Sequence, residues 1–333
     1  MARVDVTTEK PQGGTATAHL SAQPTTEEAV GPQGFTTYDA MLLAMVAVWA
    51  VNPTSIKWAL DYIDPLTFNA LRFLLATFVP VGLFLTSKES LRWPKGEGWK
   101  LVMLGLIGHG IYQALFILAI NNTLAGNVSL ILSISPAFVI IFGAILGIER
   151  VRSYAWAGIG ITLAGVLLVE LGSGKALEFG PRLLGDFEML VVTIIWALYT
   201  VLSQSYLKRY SSVKLNALTM PVGALFLLLV AAPNMVNTLP TWPAVPPMAW
   251  LILALSGLLA VSASYIVWYK GVQQLGPTRT SVYANLVPVL GALVSFFVLR
   301  EPLGWPFWTG MVLVVGGVTL SRFGGRLVKS RAG

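Results

Sequence analysis

The stretch Ser129–Glu149 reads SLILSISPAFVIIFGAILGIE, and Ser281–Glu301 reads SVYANLVPVLGALVSFFVLRE. Before its closing glutamate the first carries no charge, and the second carries only Arg300. A bilayer core about 30 Å thick is crossed by roughly 20 helical residues, so each stretch has the length and composition of a membrane span. Neither alternates polar with apolar residues at period two, as a strand of a membrane barrel does. The two stretches also align with each other. A shift of 152 places sets Ser129 on Ser281, Pro136 on Pro288 and Glu149 on Glu301. One such run marks a membrane protein, and two in register mark one built by repetition.

The register extends outward from these stretches. The same shift sets Trp156 on Trp308, Gly158 on Gly310 and Gly165 on Gly317. A shift of 147 places sets Asp39 on Asp186, Trp49 on Trp196 and Asn69 on Asn216, and the longer loop near Pro240 absorbs the difference. Ten apolar runs result: 39–60, 65–86, 100–120, 124–147, 154–172, 186–206, 215–233, 248–269, 278–299 and 306–323. Each run must satisfy its backbone amides within itself in lipid, so each is expected to be a helix. Five helices is an odd number, so the halves sit in the membrane with opposite orientations. The fold class is therefore all-α integral membrane, with ten transmembrane helices as two inverted five-helix repeats. The expected organisation is a disordered cytoplasmic tail over 1–37, a first repeat over 38–173, a linker over 174–184, a second repeat over 185–323 and a basic cytoplasmic tail over 324–333. The Pro-rich stretch 233–247 reads as an extended loop.

Composition agrees with this reading. Of 333 residues 55% are apolar and 11% charged, against about 25% charged in soluble domains. The net charge of +7 does not point to nucleic acid, because Lys and Arg gather in short loops. With the N-terminus in the cytoplasm, seventeen basic residues fall on that side and four on the other (Lys57, Lys175, Arg182, Arg300), with Arg72 inside a span. That imbalance places both termini in the cytoplasm of a cell inner membrane. No cysteine is present, which excludes thiolate metal sites and cysteine nucleophiles, and the only histidines are His19 and His109. The motifs H-E-x-x-H, G-x-S-x-G and G-x-x-x-x-G-K-[ST] are all missing. An enzyme, a cofactor and a resident metal are therefore not expected.

Inverted repeats are a hallmark of secondary transporters, whose substrate site lies near the midplane where the halves meet. The expected site is a set of aromatic and amide residues at mid-depth: Trp49, Asn52, Tyr112, Gln113, Trp196, Tyr199, Tyr265, Trp268, Tyr283 and Asn285. Rings supply apolar contact and amides fix orientation. Pro136 and Pro288 each free a backbone carbonyl and are the expected hinges. Gly143 and Gly147, spaced small-x-x-x-small, are expected to allow close helix contact, and Glu149 and Glu301 to cap the helices that follow them. Arg72 has two readings. A cation inside a span is a functional candidate by default, yet it could snorkel outward or pair with Glu188 or Asp186. His109 and Glu188 are the only expected proton carriers, so strong proton coupling is not expected.

The stretches Trp49–Lys57 (WAVNPTSIK), Pro65–Ala76 (PLTFNALRFLLA), Ser129–Glu149 and Gly276–Glu301 resemble the EamA-type branch of the drug/metabolite transporter superfamily, over about 40–323. The resemblance implies a ten-helix carrier of two five-helix repeats with a central cavity, in most members an exporter of amino acids or other metabolites. The functional expectation is a secondary transporter, an exporter of a small organic metabolite such as an amino acid, working by alternating access as a monomer in the bilayer. The alternative is a channel or facilitator pore without alternating access.

Overall fold

The computed structural model describes residues 34–89, 96–123, 128, 131–148, 152–172, 183–299 and 304–330. Most of the expected tail over 1–37, the linker except Leu183 and Leu184, which begin a helix, and both glutamates expected as caps, Glu149 and Glu301, lie outside these residues.

Among the described residues every regular element is a helix. The helices are α1 (Thr37–Ala59), α2 (Pro65–Thr86), α3 (Gly98–Asn122), α4 (Ser135–Ile145), α5 (Ser153–Gly172), α6 (Leu183–Leu207), α7 (Ser212–Thr238), α8 (Pro247–Leu275), α9 (Pro277–Ser281), α10 (Val287–Leu299) and α11 (Trp305–Ser330). Six of them, α1, α2, α3, α6, α7 and α8, are long and apolar enough to cross a membrane, and shorter apolar runs form α4 and parts of α5 and α11. The protein is a multi-pass membrane protein.

Local chemistry sets the helix starts. Thr36 and Asp39 form a capping box at α1, with Asp39 Oδ2 accepting from the Thr36 backbone N–H at 2.6 Å. Asp64 accepts from the Thr67 N–H at 2.9 Å, and Pro65 holds the first position of α2, where no N–H is needed. Ser211 caps α7 in the same way. Outside the spans, Arg209 donates to Glu97 at 2.7 Å and ties the start of α3 to the α6–α7 turn. That hydrogen bond holds the Glu97 carboxyl below the usual carboxylate range.

Three expectations change. Gly147 does not serve helix contact. Its φ is +63°, nothing stands within 4 Å of where its Cβ would be, and it ends α4. Ile148 donates to the Gly143 carbonyl at 2.9 Å and Gly147 to that of Ala144 at 3.2 Å, the paired bonds of a Schellman cap. The stretch 233–247 is not an extended loop. α7 runs through Pro221 and Pro233 to Thr238 and passes into a 3-10 turn, Leu239–Ala244, since a helix in an apolar setting recovers the groups a proline frees through neighbours and side chains. Thirdly, Pro136 and Pro288 do not lie within continuous helices. Each stands at the second position of its helix, α4 or α10, and a turn or a 3-10 stretch, Val282–Leu286, precedes it.

The packing is inside-out relative to a soluble protein. Phe78, Leu229, Ile145 and Val312 are more than 60% exposed, as lipid-facing residues are, while Asp39, Arg72, His109, Gln113 and Asn285 are buried. α5 packs along α11 and α2 along α7. A Cβ on Gly158 would stand 2.7 Å from the Gly317 carbonyl oxygen, and one on Gly165 would stand 2.8 Å from that of Gly310. The two backbones therefore touch, antiparallel, at two levels.

Candidate functional site

Two helices carry π-helical turns at matching places, Leu106–Ile111 in α3 and Ser256–Ala263 in α8. Such turns frequently accompany functional sites. Sequence reasoning misses both, although runs rich in glycine and serine (LGLIGHG, LSGLLAVSAS) occupy them. The turn in α8 presents the Ala260 carbonyl to Trp49, whose Nε1 donates to it at 2.9 Å.

A cavity of about 100 Å³ opens beside these turns. Six of the ten expected residues line it: Trp49, Asn52, Tyr112, Gln113, Trp196 and Tyr265. Trp268 and Tyr199 stand behind them, each ring against Trp196 at 5.1 and 5.9 Å. Trp268 donates to Thr200 Oγ1 at 3.3 Å, and the Tyr199 hydroxyl meets His109 Nε2 at 2.7 Å. Tyr283 and Asn285 are placed elsewhere. Tyr283 donates to Asp39 Oδ1 at 2.5 Å, near the start of α1. Asn285 is buried in the 3-10 stretch with neither amide atom partnered among the described residues, and the adjoining wall is made by Ala284, Val287 and Pro288. The structure adds Phe116, Leu132, Ser133, Ser135 and Arg72 to the wall.

Arg72 departs furthest from expectation. It is 1% exposed, so it does not snorkel, and among the described residues it does not pair with an acid. Glu188 accepts from Asn122, and Asp186 accepts from the Thr123 hydroxyl. Arg72 instead donates to Asn69 Oδ1 at 2.6 Å, Gln113 Oε1 at 2.7 Å and Ser256 Oγ at 3.2 Å, all neutral groups. Its counterpart in the repeat register, Thr219, meets His109 at 3.1 Å. His109 and Gln113, four apart on α3, thus serve the two equivalent positions with different chemistry.

The sequence profile of the EamA-like transporter family matches this chain twice, over residues 36–171 and again over 183–323. The chain belongs to the EamA-like transporter family. Relatives carry consistent names. One from Archaeoglobus fulgidus, named an uncharacterized transporter, is 32% identical over 84% of this chain and 96% of its own length. A Bacillus subtilis protein with the same description is 29% identical over 79% of this chain and 86% of its own. A protein of Streptantibioticus cattleyicolor named "Probable terminal-alkyne amino-acid exporter" is 24% identical over 82% of this chain and 92% of its own. A solved crystal structure at 18% identity superposes with a TM-score of 0.71, covering 86% of this chain and 99% of that one, so the two share a fold. Both EamA-matching stretches contribute to the cavity: Trp49, Asn52, Arg72, Tyr112 and Gln113 from the first, Trp196, Tyr265 and Pro288 from the second.

Proposed function

We propose that this chain is a secondary transporter that exports a small organic metabolite across the cell inner membrane by alternating access between two inverted five-helix repeats. A cavity walled jointly by both matched stretches carries this reading, since carriers of this type bind substrate where their repeats meet. The packing supports the inverted relation. Gly158 meets Gly317 and Gly165 meets Gly310, although the register aligns Gly158 with Gly310. That crossed exchange, i with j and j with i, is the pattern of a two-fold axis. Trp49 and Trp196, equivalent at the shift of 147, meet each other at 6.1 Å, as residues near such an axis do. Trp49 and Trp196 in the cavity wall, with Trp268 and Tyr199 behind them, form a continuous aromatic layer, which favours a gated carrier over a pore. The cytoplasmic placement of both termini rests on the seventeen-to-four imbalance of basic residues.

Transport in proteoliposomes tests the reading. Across a panel of labelled amino acids and nucleosides, the entry of at least one compound should saturate and should accelerate when the lumen is preloaded with the same compound. Flux that stays linear with concentration and indifferent to preloading belongs to a channel and would overturn the carrier. Orientation has its own check, because single cysteines enter a cysteine-free background. Cysteines at Lys95 and Lys329 should react with an impermeant maleimide only from the cytoplasm, and one at Asn237 only from outside.

A further inference from the structure

We propose that the cavity selects an organic monocarboxylate, holding its carboxylate on donors that Arg72 orients. This rests on the cavity being the transport site. The starting point is that arginine donates hydrogen bonds and cannot accept them. Asn69 and Gln113 must therefore turn their amide oxygens to the guanidinium, as they do at 2.6 and 2.7 Å. With its oxygen engaged, Gln113 uses its NH2 to donate to the Tyr265 hydroxyl at 2.6 Å. The Tyr265 proton then has no acceptor among the described residues. Ser256 likewise receives from Arg72 and must pass its own proton on, which it does to Asn52 Oδ1 at 2.7 Å. Asn52 is left with its NH2, which donates to no described protein group.

Two chains of hydrogen bonds thus run outward from one cation, and each ends at the cavity wall in a donor. Arg72, Asn52 and Tyr265 all line the cavity. The Arg72 Nε, buried, also lacks a partner among the described residues. On the other side of the balance, no Asp or Glu among the described residues lines this cavity, and the amide oxygens of Asn69, Gln113 and Asn52 are all engaged. The Ser133 and Ser135 hydroxyls of the wall can donate or accept. The polar side-chain groups that these chains bring to it are donors around one buried positive charge, and such a site favours an anion. One cation matches one carboxylate. Trp49, Trp196 and Phe116 supply apolar faces for the rest of the molecule.

The test is thermal stabilisation of the detergent-purified protein by matched acid and amide pairs: butyrate, hexanoate and phenylacetate against butyramide, hexanamide and phenylacetamide. At least one acid should stabilise at a concentration about ten- to a hundredfold below its amide, the span of one charge-assisted hydrogen bond. This comparison uses the unaltered protein and does not depend on any variant folding. Asn52→Asp keeps the oxygen that Ser256 needs and replaces the free donor with a negative charge, so acid binding should fall at least about tenfold and the preference for acid over amide should disappear. Arg72→Lys should keep part of the acid preference and Arg72→Gln none. Equal potency of every acid and its amide, absence of stabilisation by all three acids, or an Asn52→Asp protein that binds acids normally would each overturn the subsite. Counterflow of the same pairs separates this idea from the carrier reading. Acids that bind with the expected selectivity but never exchange leave the subsite standing and remove the carrier, whereas equal exchange of acids and amides does the reverse.

Discussion

Replacing Gly165 with leucine should abolish folded protein, and the same change at Gly160 should not. A Cβ on Gly165 would lie 2.7 Å from the Val314 amide nitrogen and 2.8 Å from the Gly310 carbonyl oxygen, whereas nothing lies within 4 Å of the same point at Gly160. The obstruction is backbone on both counts, and backbone cannot rotate aside as a side chain can. Overpacking a flexible core costs about 1–3 kcal/mol, and a rigid contact stands at or above the top of that range. Lipid tails are as apolar as leucine, so membrane helices are held by close packing and not by escape from water. Parting α5 from α11 therefore removes the attraction itself. The readout is the monodisperse peak in size-exclusion chromatography after detergent extraction. A Gly165→Leu protein that elutes like the parent would show that this contact does not hold the bundle.

The second large effect is expected at Trp196. Its ring is 5% exposed and meets five others: Trp49 at 6.1 Å, Tyr112 at 5.1 Å, Tyr199 at 5.9 Å, Tyr265 at 5.5 Å and Trp268 at 5.1 Å. Truncating a packed Trp costs about 3–5 kcal/mol where the space stays empty. Here the space adjoins an existing cavity, so solvent can fill part of it and the loss of stability should fall below that range. The loss of substrate contact is not relieved in this way. Trp196→Ala should lower the melting temperature by several degrees and raise the half-saturating concentration of a transported compound by roughly tenfold, the worth of an aromatic contact of about 1.5 kcal/mol. Trp196→Phe should restore most of both. Uptake kinetics and melting curves on the same preparations decide between wall and scaffold. A lower melting temperature with unchanged half-saturation would make Trp196 a structural residue.

Most of the helix layout is legible in the order of the amino acids. α2 begins and ends at the residues its apolar run marks, and α5 differs from its run by one residue at its start. The reason is local. In a bilayer a backbone amide has no water to turn to, so a long apolar run has one conformation open to it. Where the outcome depends on turn chemistry, sequence is a poorer guide. Gly147 and Gly143 fit a contact motif and a Schellman cap equally well by spacing, and only the left-handed φ of Gly147 separates them. Pro233 resembles a terminator in isolation, yet α7 continues past it.

The site divides along the same line. Aromatic residues and amides at mid-depth mark the right helices, and six of the ten expected residues face the cavity. Sequence also singles out Arg72 through its lack of a counterpart in the other half, where Thr219 stands. By itself, then, the sequence determined the helical class, the repeat and the presence of one unexplained cation, because these follow from run length, register and charge. Tertiary structure alone decided that the cation is buried among neutral acceptors, that Tyr283 reaches back to Asp39, and that the Asn52 amide oxygen accepts from Ser256 at the cavity wall. The surroundings of the cation depend on hydrogen bonds between Asn52 and Ser256, Arg72 and Gln113, and Gln113 and Tyr265, residues 41 to 204 positions apart, and the Tyr283 contact joins residues 244 apart. No local preference encodes such a bond. It exists only once packing has brought a donor against the acceptor that it needs.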